Sequence, residues 1–124
     1  MSDKFEQGKP LAKLHLGAAG IEAAEKVSPE LLKFVVEHGF ADMYTGGEFD
    51  QKSRKVATLA SLVTSGNLPQ LEWHIRGALE NRLMNREEIK ALIIQMTMYI
   101  GYPAAFSAMS VAGGVFAEFD QAAW

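Results

Sequence analysis

The stretch GNLPQLEWHIRGALENRLMNREE, residues 66–88, reads as a turn, a short helix, a second turn and the start of another helix. His74 lies in its middle, and apolar residues recur around it at helical neighbour spacing: Leu71, Ile75, Ala78 and Leu79. His74 therefore faces the apolar side of its helix. An ionisable ring in such a position is either a hydrogen-bonded core residue or a working catalytic group.

Turn and capping signals divide the rest of the chain into further helices. Ser28-Pro29-Glu30 has the residue types of a helix start, and Asp50 is placed to cap the helix that follows it. Asn85 is a third N-cap candidate, with Glu88 at the reciprocal position of a capping box. No stretch alternates convincingly between apolar and polar residues with a period of two. We therefore predict an all-α fold of about six helices.

The composition excludes several classes of protein. The 124 residues suit a single domain over residues 1–124, and we expect the polar residues 1–10 to form a loose arm. With 0 Cys, disulfides, thiolate nucleophiles and Cys-based zinc sites are excluded. The net charge of -3 gives no basic field for nucleic acid. No apolar run reaches the roughly 18–20 residues of a membrane span, and the N-terminus has no signal-peptide core, so we predict a cytoplasmic protein that binds no membrane.

The first predicted helix, from Leu11 to about Lys26, contains residues of two kinds that bear on packing. Gly17 and Gly20 weaken the helix but allow another helix to come close. We expect His15 to be exposed, because the polar Lys13 lies nearby.

The helix after Asp50, over residues 51–65, carries an arginine in its first turn. A cation at this position, Arg54, opposes the helix dipole, so helix stability does not explain it. Arg54 either pairs with a neighbouring acid or binds substrate. The predicted buried stripe of this helix consists of Val56, Leu59, Ala60 and Val63.

Three segments, in this order, resemble the carboxymuconolactone decarboxylase family: FVVEHGFADMY, SRKVATLASLVTSGNLPQLEWHIRGALEN and REEIKALIIQMTMYIGYPAA. The specific feature is the combined spacing of Arg54, the QLxxH unit ending at His74, GAL at 77–79, Glu88-Ile89 and YxGxP at 99–103. The resemblance implies an all-helical fold that assembles as a symmetric homotrimer or homohexamer. It also implies removal of CO2 from a carboxylated muconolactone, a small-molecule substrate, without a metal or an organic cofactor.

A second branch of this family resembles alkyl hydroperoxidase D and carries Cys-x-x-Cys followed four residues later by His. On this chain the motif falls on Asn67, Gln70 and His74, so both cysteines are missing. Disulfide exchange requires thiolate sulfur, and thiol peroxidase chemistry is therefore excluded. The chain also departs from the decarboxylase branch, because the turn at residues 82–85 reads RLMN where the family usually has Gly followed by Thr or Ser. Glycine tolerates a left-handed turn better than arginine does.

The chemistry that the resemblance implies assigns candidate roles to five residues. Loss of CO2 leaves a carbanion that a lactone carbonyl delocalises, so the site needs a proton donor and a group that stabilises the developing oxyanion. We predict His74 as the general acid/base. Arg54 or Arg76 would hold a substrate carboxylate, with Arg54 preferred because Arg76 lies two residues from His74 and points elsewhere. Gln95 and Tyr99 share a helix face and would orient the ring.

Three functions remain open from the sequence. They are a decarboxylase or a related lactone-processing enzyme, another cofactor-free acid–base enzyme acting on a small carboxylated or carbonyl compound, and a non-catalytic oligomeric binding protein. A deep pocket at His74 with an arginine within reach would favour the enzymes. A His74 ring packed dry, with both nitrogens bonded to backbone, would favour the binding protein.

Overall fold

The computed structural model describes residues 2–121, which form six helices and no strand. The helices are α1 (Asp3–Val27), α2 (Pro29–Phe34), α3 (Gln51–Ser65), α4 (Leu68–Glu80), α5 (Arg86–Ile100) and α6 (Tyr102–Gln121), and a π-helical segment over Val35–Ala41 continues α2. The predicted all-α class is therefore confirmed. Within the described residues, no helix is both long enough and apolar enough to cross a membrane.

Hydrogen bonds at the helix N-termini confirm three predicted helix starts. The Ser28 hydroxyl accepts from a backbone N–H in the first turn of α2 at 3.1 Å, and the Asp50 carboxylate does the same for α3 at 2.7 Å. At α5, the Asn85 side chain and the Glu88 carboxylate each accept from the other residue's backbone, which completes the capping box. These caps satisfy N–H groups that have no partner inside the helix, so sequence over a few residues is enough to find them.

The N-terminal segment differs from its prediction. The expectation of a loose arm over residues 1–10 is corrected from Ser2 onward, because Ser2 caps α1 and its hydroxyl accepts from a backbone N–H of the first turn. This end of α1 packs tightly on the π-helical segment: a Cβ added to Gly8 would lie 2.0 Å from the Val36 carbonyl oxygen. The contact joins a glycine to backbone rather than one apolar stripe to another, which is why the polar sequence did not reveal it.

Two apolar clusters form the interior, and α4 lies between them. The larger cluster, among α3, α4, α5 and α6, includes Leu59, Val63, Leu71, Ile75, Ala78, Ile89, Ile93, Ala108, Ala112 and Val115. The smaller cluster joins α1 to α2 and its π-helical continuation through Ala12, Leu16, Leu32, Val36 and Phe40. One side of α4 thus faces the larger cluster while the opposite side packs on α1.

The close approach of α1 and α4 depends on glycines, which agrees with the expectation that Gly17 and Gly20 allow another helix to come close. Gly17 has a φ of 71°, in the left-handed region that favours glycine, and it kinks α1. On α4, a Cβ added to Gly77 would lie 2.1 Å from the His15 carbonyl oxygen. The Asn81 side chain at the end of α4 donates to two α1 carbonyls ahead of the kink, at 2.9 and 3.1 Å. The bent backbone of α1 is therefore fixed against α4 at His15.

The turn between α4 and α5 keeps a left-handed residue even though the chain has no glycine there. Arg82 has a φ of 58°, a conformation that costs an L-residue with a side chain roughly 1–2 kcal/mol. Backbone N–H groups of Leu83 and Met84 donate to the Ala78 carbonyl at 2.9 and 3.4 Å and close the end of α4. The departure from the usual family sequence therefore introduces strain into the turn without removing its left-handed geometry.

We expect two glycine substitutions, one inside the contact between α1 and α4 and one outside it, to have opposite effects on stability. We expect Gly77→Ala to lower the free energy of unfolding by about 1–3 kcal/mol, because the new methyl group meets fixed backbone. Gly113→Ala in α6 is the matched control, since its added Cβ meets nothing within 4 Å, and it should stabilise by about 0.5–1 kcal/mol through helix propensity. Urea unfolding of both variants measures this, and a Gly77→Ala protein as stable as wild type would contradict the close approach.

Candidate functional site

A cavity of about 270 Å³ opens between α1, α2 and α4, and His74 lies in its wall. The lining side chains are almost all apolar: Leu16, Ala24, Val27, Leu31, Leu32, Val35 and Trp73, together with Gln70 and His74. Leu71 and Ile75 turn the other side of α4 into the core, so His74 lies at the border between the core and the cavity. Among the described residues that line the cavity, none carries a permanent charge.

The His74 ring is held at one nitrogen and open at the other. Its Nδ1 lies 2.8 Å from Nζ of Lys55 on α3. When the amine donates, Nδ1 is the acceptor, and the proton of the neutral ring lies on Nε2. Nε2 makes no hydrogen bond within residues 2–121, and it is not among their buried unpartnered atoms. The ring therefore presents an accessible N–H donor at the cavity wall.

Lys55 is the unusual residue of this site, because its side chain is 0% exposed. Its Nζ donates to the His15 carbonyl oxygen at 2.7 Å as well as contacting His74. No carboxylate in the described part of the chain pairs with it. Burial without a compensating anion penalises the ammonium form and lowers the pKa of Lys55 to about 7. The amine can therefore change its protonation state near neutral pH.

His15 lies behind this pair and is also 0% exposed, which corrects the expectation that it is a surface residue. Its Nε2 lies 2.7 Å from Oε1 of Gln51, whose amide nitrogen donates to the Tyr44 carbonyl at 2.9 Å. Because that amide orientation makes Oε1 an acceptor, His15 donates from Nε2, and its Nδ1 is buried without a partner. The ring packs against Phe40 and Tyr44, with centroids 5.7 and 4.9 Å away. His15 lies two residues before the kink of α1 at Gly17.

Both imidazoles are held neutral by their surroundings. Burial is the largest cause of the fall in the pKa of His74 to about 3, followed by the charges of Lys55 and His15. The pKa of His15 falls to about 4, again mainly through burial, although its hydrogen bond to Gln51 opposes the fall. At pH 7 the site therefore contains two neutral rings around one amine. Within residues 2–121, no group of three or more His, Cys, Asp or Glu side chains is arranged to hold a metal ion.

The structure places Arg54 away from the His74 cavity. Its guanidinium donates to the carbonyls of Met43 and Gly46 at 2.8 Å each and to that of Phe49 at 3.3 Å. It lines a separate cavity of about 460 Å³ and stacks near the Tyr44 ring at 5.7 Å. These contacts explain its position in the first turn of α3, because they attach the preceding loop to the helix. Three of the five guanidinium N–H groups of Arg54 are therefore used within the fold, and one N–H remains on each terminal nitrogen.

The other three predicted substrate residues also lie outside the cavity wall. Arg76 forms ion pairs with Glu118 at 3.0 Å and Glu72 at 3.4 Å. Gln95 and Tyr99 lie on the exposed face of α5, and Tyr99 is 69% exposed. Their roles in substrate binding, like that of Arg54, stay predictions.

Sequence reasoning missed Lys55, His15 and Gln51, although one of them left a signal. Lys55 lies four residues before Leu59 and eight before Val63, so it continues the buried stripe of α3 by one turn. Val56, which the prediction placed in that stripe, is 38% exposed. The spacing of Lys55 with the buried stripe therefore indicated that it is buried. We did not predict this burial, because lysines are usually exposed.

The chain is similar to known proteins along most of its length. The model of the carboxymuconolactone decarboxylase family matches residues 29–113. An uncharacterised 15.0 kDa protein of the nqo9–nqo10 intergenic region of Paracoccus denitrificans is 33% identical over 103 residues, covering 82% of this chain and 76% of that protein. The 4-carboxymuconolactone decarboxylase of Acinetobacter baylyi is 24% identical over 98 residues, covering 79% and 72%.

The buried amine predicts how stability depends on pH. The unfolded chain keeps the lysine proton up to about pH 10.5, whereas the folded protein releases the Lys55 proton near pH 7. Between these values the unfolded state binds more protons, so Lys55 makes the free energy of unfolding rise with pH. We expect wild type to gain about 2–3 kcal/mol relative to Lys55→Met between pH 7 and 9.5.

Urea unfolding of both proteins at the two pH values measures this gain. Lys52→Met is the control, because Lys52 is an exposed lysine on the same helix. Its difference from wild type should stay nearly constant. An equally constant difference for Lys55→Met would show that burial does not lower the pKa of the Lys55 amine.

Proposed function

Because the chain belongs to the carboxymuconolactone decarboxylase family, we propose that it is a cofactor-free enzyme that removes CO2 from a small carboxylated lactone or a related carbonyl compound. His74 is the general acid in this proposal. The relative from Acinetobacter baylyi that bears the decarboxylase name supports the reaction class. The substrate is named by its chemistry, a carboxylate whose loss leaves a carbanion next to a carbonyl.

The observation that carries the proposal is the presentation of the His74 ring. Nδ1 contacts the buried Lys55 amine at 2.8 Å, and Nε2 is left for a ligand in the apolar cavity. A core histidine with a purely structural role would have both nitrogens bonded within the fold. His15 also has one bonded nitrogen, but its other nitrogen is buried, so a ligand cannot reach it.

The apolar wall suits the proposed chemistry. As CO2 leaves, the negative charge spreads from a compact carboxylate into the neighbouring carbonyl. Leu16, Leu31 and Leu32 offer that carboxylate no hydrogen bonds, so the compact charge is poorly solvated beside them. The Nε2–H of His74 then supplies the proton that converts the carbanion into a C–H bond.

The cavity volume limits the size of the substrate. About 270 Å³ lies just below the roughly 300–1,000 Å³ of typical ligand pockets, so it suits a single ring with short substituents. The amide of Gln70 and the indole N–H of Trp73 are the other polar groups among the lining residues.

A second candidate, binding of a small neutral compound without turnover, has one observation in its favour. No arginine among residues 2–121 lines the His74 cavity, and both arginines predicted to hold a carboxylate are engaged elsewhere: Arg54 by backbone carbonyls, Arg76 by carboxylates. An enzyme for a carboxylated substrate would therefore rely on His74 and the buried amine behind it for positive potential. Turnover separates the two candidates.

We also propose that the protein self-associates as a homotrimer or homohexamer, which the family resemblance implies. The support is an exposed apolar surface on α5 and the start of α6, made of Ile94, Met98, Tyr99, Tyr102 and Phe106. Each of these side chains is 64% exposed or more. Soluble monomers rarely expose contiguous apolar patches of this kind.

The catalytic proposal predicts loss of activity in His74→Gln. Wild type should release CO2 from γ-carboxymuconolactone, and the variant should lose about 10²–10⁴-fold in kcat, as is typical when a general acid is removed. His38→Gln is the matched control, because His38 is a surface histidine 3.6 Å from Asp42. It should keep wild-type activity. A His74→Gln loss smaller than about tenfold, or no turnover by wild type, would argue against the assignment.

The assembly proposal predicts a mass of three or six chains by size-exclusion chromatography with light scattering. Met98→Glu places a charge in the middle of the exposed apolar surface and should yield smaller species. Lys90→Glu is the control, because it alters charge on α5 outside that surface. A monomeric wild-type protein would contradict the proposal.

A further inference from the structure

The pair formed by Lys55 and His74 carries an inference beyond the role of His74 alone. We propose that Lys55 is a positioning residue that supplies, through the His74 ring, the proton that His74 delivers to the substrate. This inference rests on the proposed function. It deepens that function by naming where the proton comes from.

The geometry joins the amine to the cavity through a single ring. Lys55 Nζ meets Nδ1 at 2.8 Å on one side of the ring, which leaves Nε2 on the other side of a ring that lines the cavity. The His15 carbonyl holds Nζ at 2.7 Å, which fixes the amine on its target. Because Lys55 is 0% exposed, its nearest polar contacts are these two groups of the protein. A proton that leaves Nζ toward the cavity therefore passes through His74.

The proton transfer balances without a charged ring. Before the step, Lys55 is an ammonium and neutral His74 has its proton on Nε2. The Nε2–H bond breaks as the C–H bond forms on the substrate carbanion, while one Nζ–H bond breaks and an Nδ1–H bond forms. Afterwards Lys55 is a neutral amine, and neutral His74 has its proton on Nδ1. No imidazolate forms, and water reaching the cavity restores the proton through Nε2 once product leaves.

The surrounding charges favour this direction of transfer. His15 on α1 lowers the pKa of His74, and Arg54 on α3 lowers the pKa of His15 behind the pair, so the groups around the pair disfavour added positive charge. No carboxylate in the described residues stabilises the ammonium. Burial, which lowers the pKa of Lys55 to about 7, makes the ammonium a ready proton donor near neutral pH. Its charge also lies one ring away from the negative charge that develops in the cavity.

The first experiment uses the substrate-free protein. Nitrogen-15 NMR of the histidine rings should show His74 with a protonated Nε2 and an unprotonated Nδ1. In Lys55→Met, removal of the neighbouring charge should raise the pKa of His74, and the tautomer preference should weaken. Lys52→Met, the exposed-lysine control, should leave both unchanged. A wild-type His74 with its proton on Nδ1 would overturn the inference, whatever the activity.

The second experiment measures the pH profile of turnover. Wild-type kcat should fall on the alkaline side as Lys55 loses its proton, and Lys55→Met should lose this limb together with about tenfold or more in kcat. Lys55→Arg separates the explanations, because arginine keeps a cation but releases no proton at accessible pH. It should remain as impaired as Lys55→Met. Recovery of wild-type activity in Lys55→Arg would assign the residue an electrostatic role and overturn proton supply.

The two proposals fail in different ways. If His74→Gln is inactive and Lys55→Met keeps full kcat with an unchanged pH profile, only the proton route through Lys55 is wrong. If His74→Gln keeps its activity, the role of His74 in the proposed function is wrong, and the relay fails with it. The NMR comparison measures the protonation of His74 in wild type and Lys55→Met without substrate. If Lys55→Arg fails to fold, this comparison still decides whether Lys55 and His74 are coupled.

Discussion

A single buried amine ties together the three helices that define the candidate site. Nζ of Lys55 on α3 is held by the His15 carbonyl on α1 and contacts the His74 ring on α4. An ammonium away from water is unfavourable unless its hydrogen bonds are made, so these helices must meet in the right register. The glycine contact between α1 and α4 makes that meeting possible, because a side chain on Gly77 would displace the carbonyl that Lys55 uses.

The two histidines near this amine differ in their hydrogen bonds and in their access to a ligand. The Nε2 of His15 is hydrogen-bonded to Gln51, and its ring packs among aromatic rings, so His15 is a core residue. His74 lines the cavity, and its Nδ1 contacts the amine while its Nε2 has no partner within residues 2–121. Burial keeps both rings neutral, but only His74 combines a fixed orientation with access for a ligand. Position relative to Lys55, rather than residue type, separates a structural imidazole from a candidate catalytic one.

Local chemistry explains how much of the fold could be predicted. The caps at Ser28, Asp50 and Asn85 depend on residues within one turn, and each prediction is confirmed by a hydrogen bond. Contacts between distant residues account for the failures. His15 was expected at the surface because Lys13 lies nearby, but it lies just before the kink at Gly17 and packs against the rings of Phe40 and Tyr44. The loose arm was expected because residues 1–10 are polar, although their packing uses backbone.

By itself, the sequence determined the all-helical class, the helix starts, the family resemblance and the choice of His74 as the residue to examine. Each of these depends on spacing along the chain, which a helix preserves as a face or a cap. Tertiary structure alone decided what surrounds that ring: a neutralisable lysine rather than an arginine, and an apolar cavity that excludes Arg54, Arg76, Gln95 and Tyr99 from its wall. Burial and hydrogen bonding between helices are properties of the assembled core, so no pattern along one helix could assign them.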